Sequence, residues 1–203
     1  MDSLIAYDTQ LFYLINGARG SFWDWFFAII SSHLFFGIFI FAMVLWHSVS
    51  QFKKSFWHIL ILVAVCFLLA DRISVLCFKD VFMRLRPSHA LEGVNLVKFS
   101  DFQLIYDSKG GLYGFVSSHA TNALCLTTVF ATISRHRKSV ILIMGTWSLL
   151  TMYSRIYCGV HYPTDVICGA LLGIAIGLFI SWGYNFVKKK KTHISSFQKG
   201  NER

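Results

Sequence analysis

The sequence predicts an all-α fold: a polytopic membrane helical bundle of about five spans, preceded by an N-terminal interfacial helix. Three observations predict it. The chain of 203 residues is 55% hydrophobic and 17% aromatic, and only 14% of it is charged, where a soluble domain carries about 25% charged residues. Its mean hydropathy is +0.56. Several apolar stretches reach the roughly 20 residues that cross a bilayer as a helix, and they largely lack the polar stripe of a soluble bundle helix.

The elements follow in chain order. In "LIAYDTQLFYLI", Leu4, Leu11, Phe12 and Ile15 share a helical face, with Asp8, Thr9 and Gln10 between them. That pattern suits a short helix in the membrane interface, stopped by Asn16-Gly17. Asp2 stands where a cleavable signal has its basic start, so no such signal is expected. Spans are expected over about 24–46, 55–78, 113–134, 139–157 and 163–186. They form a single membrane-embedded domain over residues 1–191 (1–20 being the interfacial helix), followed by a polar, disordered cytoplasmic tail, 192–203. No internal repeat is visible.

The net charge of +9 raises nucleic acid as a partner, but no aromatic-interleaved basic patch supports it. The basic residues collect instead at Lys53 and Lys54, at Arg135, Arg137 and Lys138, and at Lys188 to Lys191. An odd number of spans puts all three places on one side, which the positive-inside rule makes cytoplasmic. Trp46, Trp57 and Trp182 mark the inner boundary, and Trp23 and Trp25 the outer one. The five cysteines form no CxxC pair and mostly lie in apolar runs, as small buried residues do. Cys77 and Cys158 fall near the polar loops, where a disulfide is conceivable but unsupported.

Lys79, Arg84, Arg86 and Arg155 break the charge rule by falling on the outer side. Arg84 reads as a snorkelling side chain, and Asp71-Arg72 as a brace for the segment that presents Lys79. His33, His47, His58, His89, His136 and His193 have no chemical companions and read as packing residues. Residues 88–112 are expected to meet the substrate head group, since long ordered loops beside a site are often functional.

Three clusters remain: "KDVFMRLRP" from Lys79, "FVSSHA" from Phe115, and "SRIYCGVHYPTD" from Ser154. Lys79, Arg86 and Arg155, with the Ser117 hydroxyl and nearby amides, suit a multiply charged oxyanion, and phosphate fits best. Asp165, four residues after His161, places a carboxylate against the imidazole Nδ1 and leaves Nε2 as nucleophile or base. His119 is available to protonate a leaving group. Together they describe phosphoryl transfer through a phosphohistidine. The chemistry requires no cofactor, and no residue cluster has metal-ligand spacing.

The pattern K-x6-R-P (Lys79, Arg86, Pro87), S-x-H (Ser117, His119) and S-R-x5-H-x3-D (Ser154, Arg155, His161, Asp165) resembles the type 2 phosphatidic acid phosphatase superfamily. That superfamily includes bacterial lipid phosphatases and the vanadium haloperoxidases. The resemblance implies that Lys79, Arg86, Arg155, Ser117 and Ser118 bind phosphate and that His119 protonates the leaving oxygen. It makes His161 the nucleophile and Asp165 its orienter. One departure stands out: the middle motif usually reads Pro-Ser-Gly-His, and here it is Val116-Ser117-Ser118-His119. Ser118 keeps the backbone amide of that glycine and adds a hydroxyl.

The resemblance implies a multi-pass lipid phosphatase of the bacterial cytoplasmic membrane, its site facing the periplasm or cell exterior. The expected partners are the bilayer and a phospholipid or glycolipid substrate. The Ser-Ser-His motif points to the bacterial lipid A phosphatases. Undecaprenyl diphosphate and phosphatidylglycerol phosphate remain alternative substrates, and transfer to another lipid an alternative reaction. A non-catalytic lipid-phosphate binding or transport protein would use the same cations without needing His119, His161 and Asp165 together. The sequence sets no oligomeric state.

Overall fold

The computed structural model describes the backbone of residues 2–51 and 56–201 and the side chains of 3–49 and 57–190. It begins with α1 (Asp2–Asn16), α2 (Ser21–Ile30), α3 (His33–Gln51) and α4 (Phe56–Ser74). A π-helical turn, Val75–Lys79, runs into α5 (Asp80–Phe82), and α6 (Pro87–Ala90) follows. Two short strands, β1 (Val97–Ser100) and β2 (Gln103–Tyr106), precede α7 (Ser118–Ile133), α8 (Arg137–Tyr157) and α9 (Pro163–Asn201).

The polytopic helical architecture is the one expected, with four local differences. The first span expected, 24–46, is two helices meeting at 58°. Ser32 makes the break: its hydroxyl donates to the Ile29 carbonyl at 2.7 Å and accepts the Phe35 amide at 3.2 Å, closing one helix and capping the next. Secondly, the stretch expected at 113–134 becomes helical only at Ser118. Arg86 N–H donates to the Leu112 carbonyl at 3.1 Å and Gly114 N–H to the Arg84 carbonyl at 2.8 Å, so extended pairing occupies those residues. Thirdly, β1 and β2 form an antiparallel hairpin with Val97 opposite Tyr106. Fourthly, α9 continues to Asn201, through most of the stretch expected as a disordered tail.

Among the described residues, three helical stretches are long and apolar enough to cross a membrane: Trp57–Phe82, Arg137–Tyr157 and Pro163–Lys190. The bent α2–α3 pair makes a fourth. The remaining rod, α7, has 16 residues and forms the centre of the bundle, packed by α4, α8 and α9. Its Leu126, Val129 and Phe130 join Val44, Met144 and Trp147 in one core cluster. Leu68, Leu142, Leu171 and Leu178 on the outer helices are exposed, the apolar exterior that a bilayer accepts.

α7 and α9 approach closely along Gly169, Gly173 and Gly177. A Cβ on Gly169 would lie 2.7 Å from the Ser117 carbonyl oxygen, and one on Gly177 2.8 Å from that of Cys125. At Gly173 it would collide with the Thr121 carbonyl oxygen. Small residues at this spacing let helix backbones touch in lipid. The Ser117 amide also donates to the Asp165 carbonyl at 3.0 Å, so the starts of α7 and α9 are joined.

The end of α3 and the basic α7–α8 connection lie at one end of the bundle. The Trp46 ring, near the end of α3, is 6.2 Å from that of His136, between α7 and α8. Lys53 and Lys54 lie outside the described residues. All five cysteines are free, with Cys66, Cys125 and Cys158 buried and Cys77 exposed.

Candidate active site

At the opposite end a cavity of about 400 Å³ opens among α2, α3, the π turn, the hairpin, α7 and the α8–α9 connection. Four cationic side chains line it, Lys79, Arg86, Lys98 and Arg155, and three of them, Lys79, Arg86 and Arg155, are those expected from the sequence. The π turn ends on Lys79. Such wide turns frequently mark functional positions, and here the Lys79 ammonium donates to Ser118 Oγ at 2.8 Å. Ser118 Oγ is also 2.8 Å from Ser74 Oγ. Arg86 donates through Nε to the Tyr113 carbonyl at 3.1 Å. Arg155 donates to the Ser31 hydroxyl, while its Nε is buried with no protein acceptor. An unspent guanidinium donor beside further cations makes the cavity a receptor for an oxyanion.

His119 and His161 line the same cavity. His119 occupies the first turn of α7, and its ring lies 5.0 Å from that of His33 and 5.9 Å, edge to face, from Phe36. His161 lies between α8 and α9, after Gly159 at φ +80°. A Cβ there would also meet the Asn95 carbonyl oxygen at 2.8 Å, so glycine alone fits this turn. His161 is 2% exposed. Burial, and then the positive charges of Arg86, Arg155 and Lys79, hold its pKa well below the ordinary 6.5. The imidazole is therefore neutral at pH 7, with a lone pair available.

Asp165 sits behind His161 and does not line the cavity. Its Oδ2 is 3.4 Å from His161 Nδ1, beyond the usual hydrogen-bond range, and accepts the Tyr162 amide at 3.0 Å. Asp165 Oδ1 accepts from Arg84 Nη1 at 2.8 Å.

Of the expected site residues, Lys79, Arg86, Ser118, His119, Arg155 and His161 line one cavity, and Asp165 backs it. Ser117 does not line it: its hydroxyl is buried without a partner. The loop 88–112 contributes Val97, Lys98, Phe99, Ser108, Gly110 and Gly111 to the wall. Asp71 and His33, read as brace and packing residue, also face the cavity. Arg84, read as snorkelling, is bound on two sides by Asp8 and Asp165. Its only sequence signal is a charge three residues before Pro87, with Asp80 four residues earlier as the local acid, and the structure pairs it instead with Asp8 and Asp165. Among the described residues, no three His, Cys, Asp or Glu side chains gather as metal ligands.

Residues 66–189 match the family model of the PAP2 superfamily. Over 94% of its length the chain is 32% identical to a lipid A 4'-phosphatase of Porphyromonas gingivalis, covering 78% of that protein. Among solved structures it is similar to LpxE of Aquifex aeolicus, with TM-score 0.57 and 27% identity. That match covers 85% of this chain and 93% of the other. A transmembrane PAP2-type phosphatidylglycerolphosphate phosphatase of Bacillus subtilis shares the fold, with TM-score 0.64 and 22% identity, over 93% of this chain and 88% of that one.

Proposed function

The chain belongs to the PAP2 superfamily, and from that premise we propose that it removes a phosphate from a lipid A-type glycolipid through a phosphohistidine on His161. It is a multi-pass membrane phosphatase acting on lipid phosphates. The observation that carries the finer reading is the convergence of Lys79, Arg86, Arg155 and Ser118 with His119 and His161 on one cavity. The lipid A assignment is supported by the name of the Porphyromonas relative and its 32% identity along most of this chain.

In this reading Lys79, Arg86 and Arg155 hold the equatorial oxygens and offset the charge that grows on them in the transition state. Ser118 aims Lys79 and offers its amide at the helix start. The His161 Nε2 lone pair attacks phosphorus in line. The phosphorus–oxygen bond to the lipid breaks, and His119 gives its proton to the leaving oxygen. Asp165 faces Nδ1–H and steadies the positive ring. His119, now basic, takes a proton from water as that water attacks phosphorus. The nitrogen–phosphorus bond breaks, releasing inorganic phosphate and restoring neutral His161. The basic loops at the far end support a site on the outer side of the bacterial cytoplasmic membrane.

The test is phosphate release by purified protein from lipid A, undecaprenyl diphosphate and phosphatidylglycerol phosphate, with His161→Ala as control. Preferential release from lipid A is expected. Preference for another lipid would overturn the substrate, and equal release by His161→Ala would overturn the nucleophile. No release from any lipid would favour a binding or transport role.

A further inference from the structure

An ion network lies on the side of Asp165 away from the cavity, and its far end is the N-terminal helix. Arg84 Nη1 donates to Asp165 Oδ1 at 2.8 Å, and Arg84 Nη2 donates to Asp8 Oδ2 at 2.7 Å. Asp8 is 5% exposed and Asp165 fully buried. The two carboxylates thus share one guanidinium, which also lies 4.0 Å over the Tyr162 ring. Asp8 further accepts the Thr164 amide at 2.9 Å and the Thr164 hydroxyl at 2.5 Å. It therefore caps the first turn of α9, one residue before Asp165, from a different helix.

α1 is fastened elsewhere too. Asn16 Nδ2 donates to the Asn95 and Tyr157 carbonyls, each at 2.8 Å. Phe12, fully buried, meets the Tyr162 ring at 5.8 Å. An amphipathic helix lying only in the interface would keep Asp8 in water. Here its charge faces inward and is matched.

We propose that Asp8 and Arg84 are positioning residues for phosphoryl transfer: α1 completes the catalytic centre by holding Asp165 in register behind His161. The proposal rests on the roles given to His161 and Asp165 above. Arg84 keeps a buried carboxylate paired and fixes where Oδ1 lies, which leaves Oδ2 facing the imidazole. Asp8 takes half of the guanidinium, so Arg84 does not swing wholly onto Asp165 and drain the charge that the phosphohistidine needs. A lysine could meet only one of the two acids, whereas the planar fork of arginine spans both.

Neither residue lines the cavity, so their loss should act on kcat and leave KM unchanged. Asp8→Asn keeps an acceptor for the Thr164 amide and removes the charge. It should lower kcat roughly tenfold, the effect of about 1.4 kcal/mol. Arg84→Gln should cost roughly 10²-fold, the scale of a 1 Å misplacement at a catalytic group, and Arg84→Lys should recover part of it. In an Asp165→Asn background, Asp8→Asn should cost nothing further, because the proposal has the network act on turnover through Asp165. Each variant is assayed in detergent at temperatures where its unfolding curve shows it folded.

Wild-type kcat in Asp8→Asn, a changed KM at constant kcat, or losses that multiply in the Asp165→Asn background would each overturn the proposal. Failure of Asp8→Asn to fold at any temperature would do so as well, by assigning Asp8 to the architecture alone. If His161→Ala kept its turnover, the underlying reading would fall. If His161→Ala were inactive and Asp8→Asn normal, only the positioning role would.

Discussion

A neutral His161 has consequences that a titration reads directly. Its pKa is held well below 6.5 by burial and by the cations around the cavity. The proposed nucleophile therefore stays deprotonated as pH falls from 7 to 6.5, and the acidic limb of kcat/KM for the free enzyme should lie below pH 6.5. The sign for stability follows the same shift. Above pH 6.5 the ring is neutral whether folded or unfolded, and its contribution is complete. Below 6.5 the unfolded chain binds a proton that the folded site refuses, so stability falls with pH until the folded value is reached. Thermal unfolding of wild type against His161→Gln between pH 5 and 7 checks this, since the variant should lose that part of the slope. Ser118 is a second residue-scale case. Its hydroxyl holds the Lys79 ammonium at 2.8 Å, and hydrogen bonds to charged groups contribute about 1.5–3 kcal/mol. Ser118→Ala should weaken substrate use by roughly tenfold or more, whereas Ser117→Ala, whose hydroxyl lacks a partner, should leave kcat/KM near normal. Equal losses in steady-state assays of the two would reverse the assignment.

Two helices carry the site's halves, and their seam sets its width. α7 presents Ser118 and His119, while α9 carries Asp165 just after His161. The seam is narrow because Gly169, Gly173 and Gly177 admit the α7 backbone. Gly173→Leu should force the helices apart, with a cost of at least the 1–3 kcal/mol typical of overpacking, and should reduce activity and thermal stability together. Gly183 on the same helix meets nothing within 4 Å, so Gly183→Leu is the control and should change neither. Thermal unfolding and phosphate release on both variants make the check. The π turn has a comparable role in α4, since it ends on the residue that must reach Ser118.

The whole molecule places apolar surface outward and concentrates charge at its two ends. The cavity lies at the end opposite the basic connection of Arg135, Arg137 and Lys138. If that connection is cytoplasmic, the hairpin is outside. Cysteine introduced by Ser100→Cys, in a background without the native cysteines, should then react with an impermeant reagent in intact spheroplasts. Labelling only after lysis would invert the orientation. Lys79, Arg86 and Arg155 are the groups proposed to bind phosphate, so turnover should survive EDTA and be inhibited by vanadate, which mimics pentacoordinate phosphorus. Activity lost in EDTA and restored by Mg²⁺ would overturn that mechanism.

The sequence by itself determined the membrane bundle and six of the polar residues that line the cavity, Lys79, Arg86, Ser118, His119, Arg155 and His161. Hydropathy along the chain is a local sum, and Lys79 with Arg86, Ser118 with His119, and His161 with Asp165 are short spacings that a helix or turn converts into neighbourhood. Only the tertiary structure decided what long separations decide. Asp8 meets Arg84 across 76 residues and Thr164 across 156, and no periodicity relates such positions. The bend at Ser32 and the short, buried α7 likewise depended on what packs around them. Which of two adjacent serines faces the cavity depended on how α7 rotates against α9, and that rotation is set by glycine contacts between helices that the chain joins only through α8. Charge shared by three side chains from three distant elements becomes visible when the fold excludes water around them, because burial is what obliges each charge to find its partner.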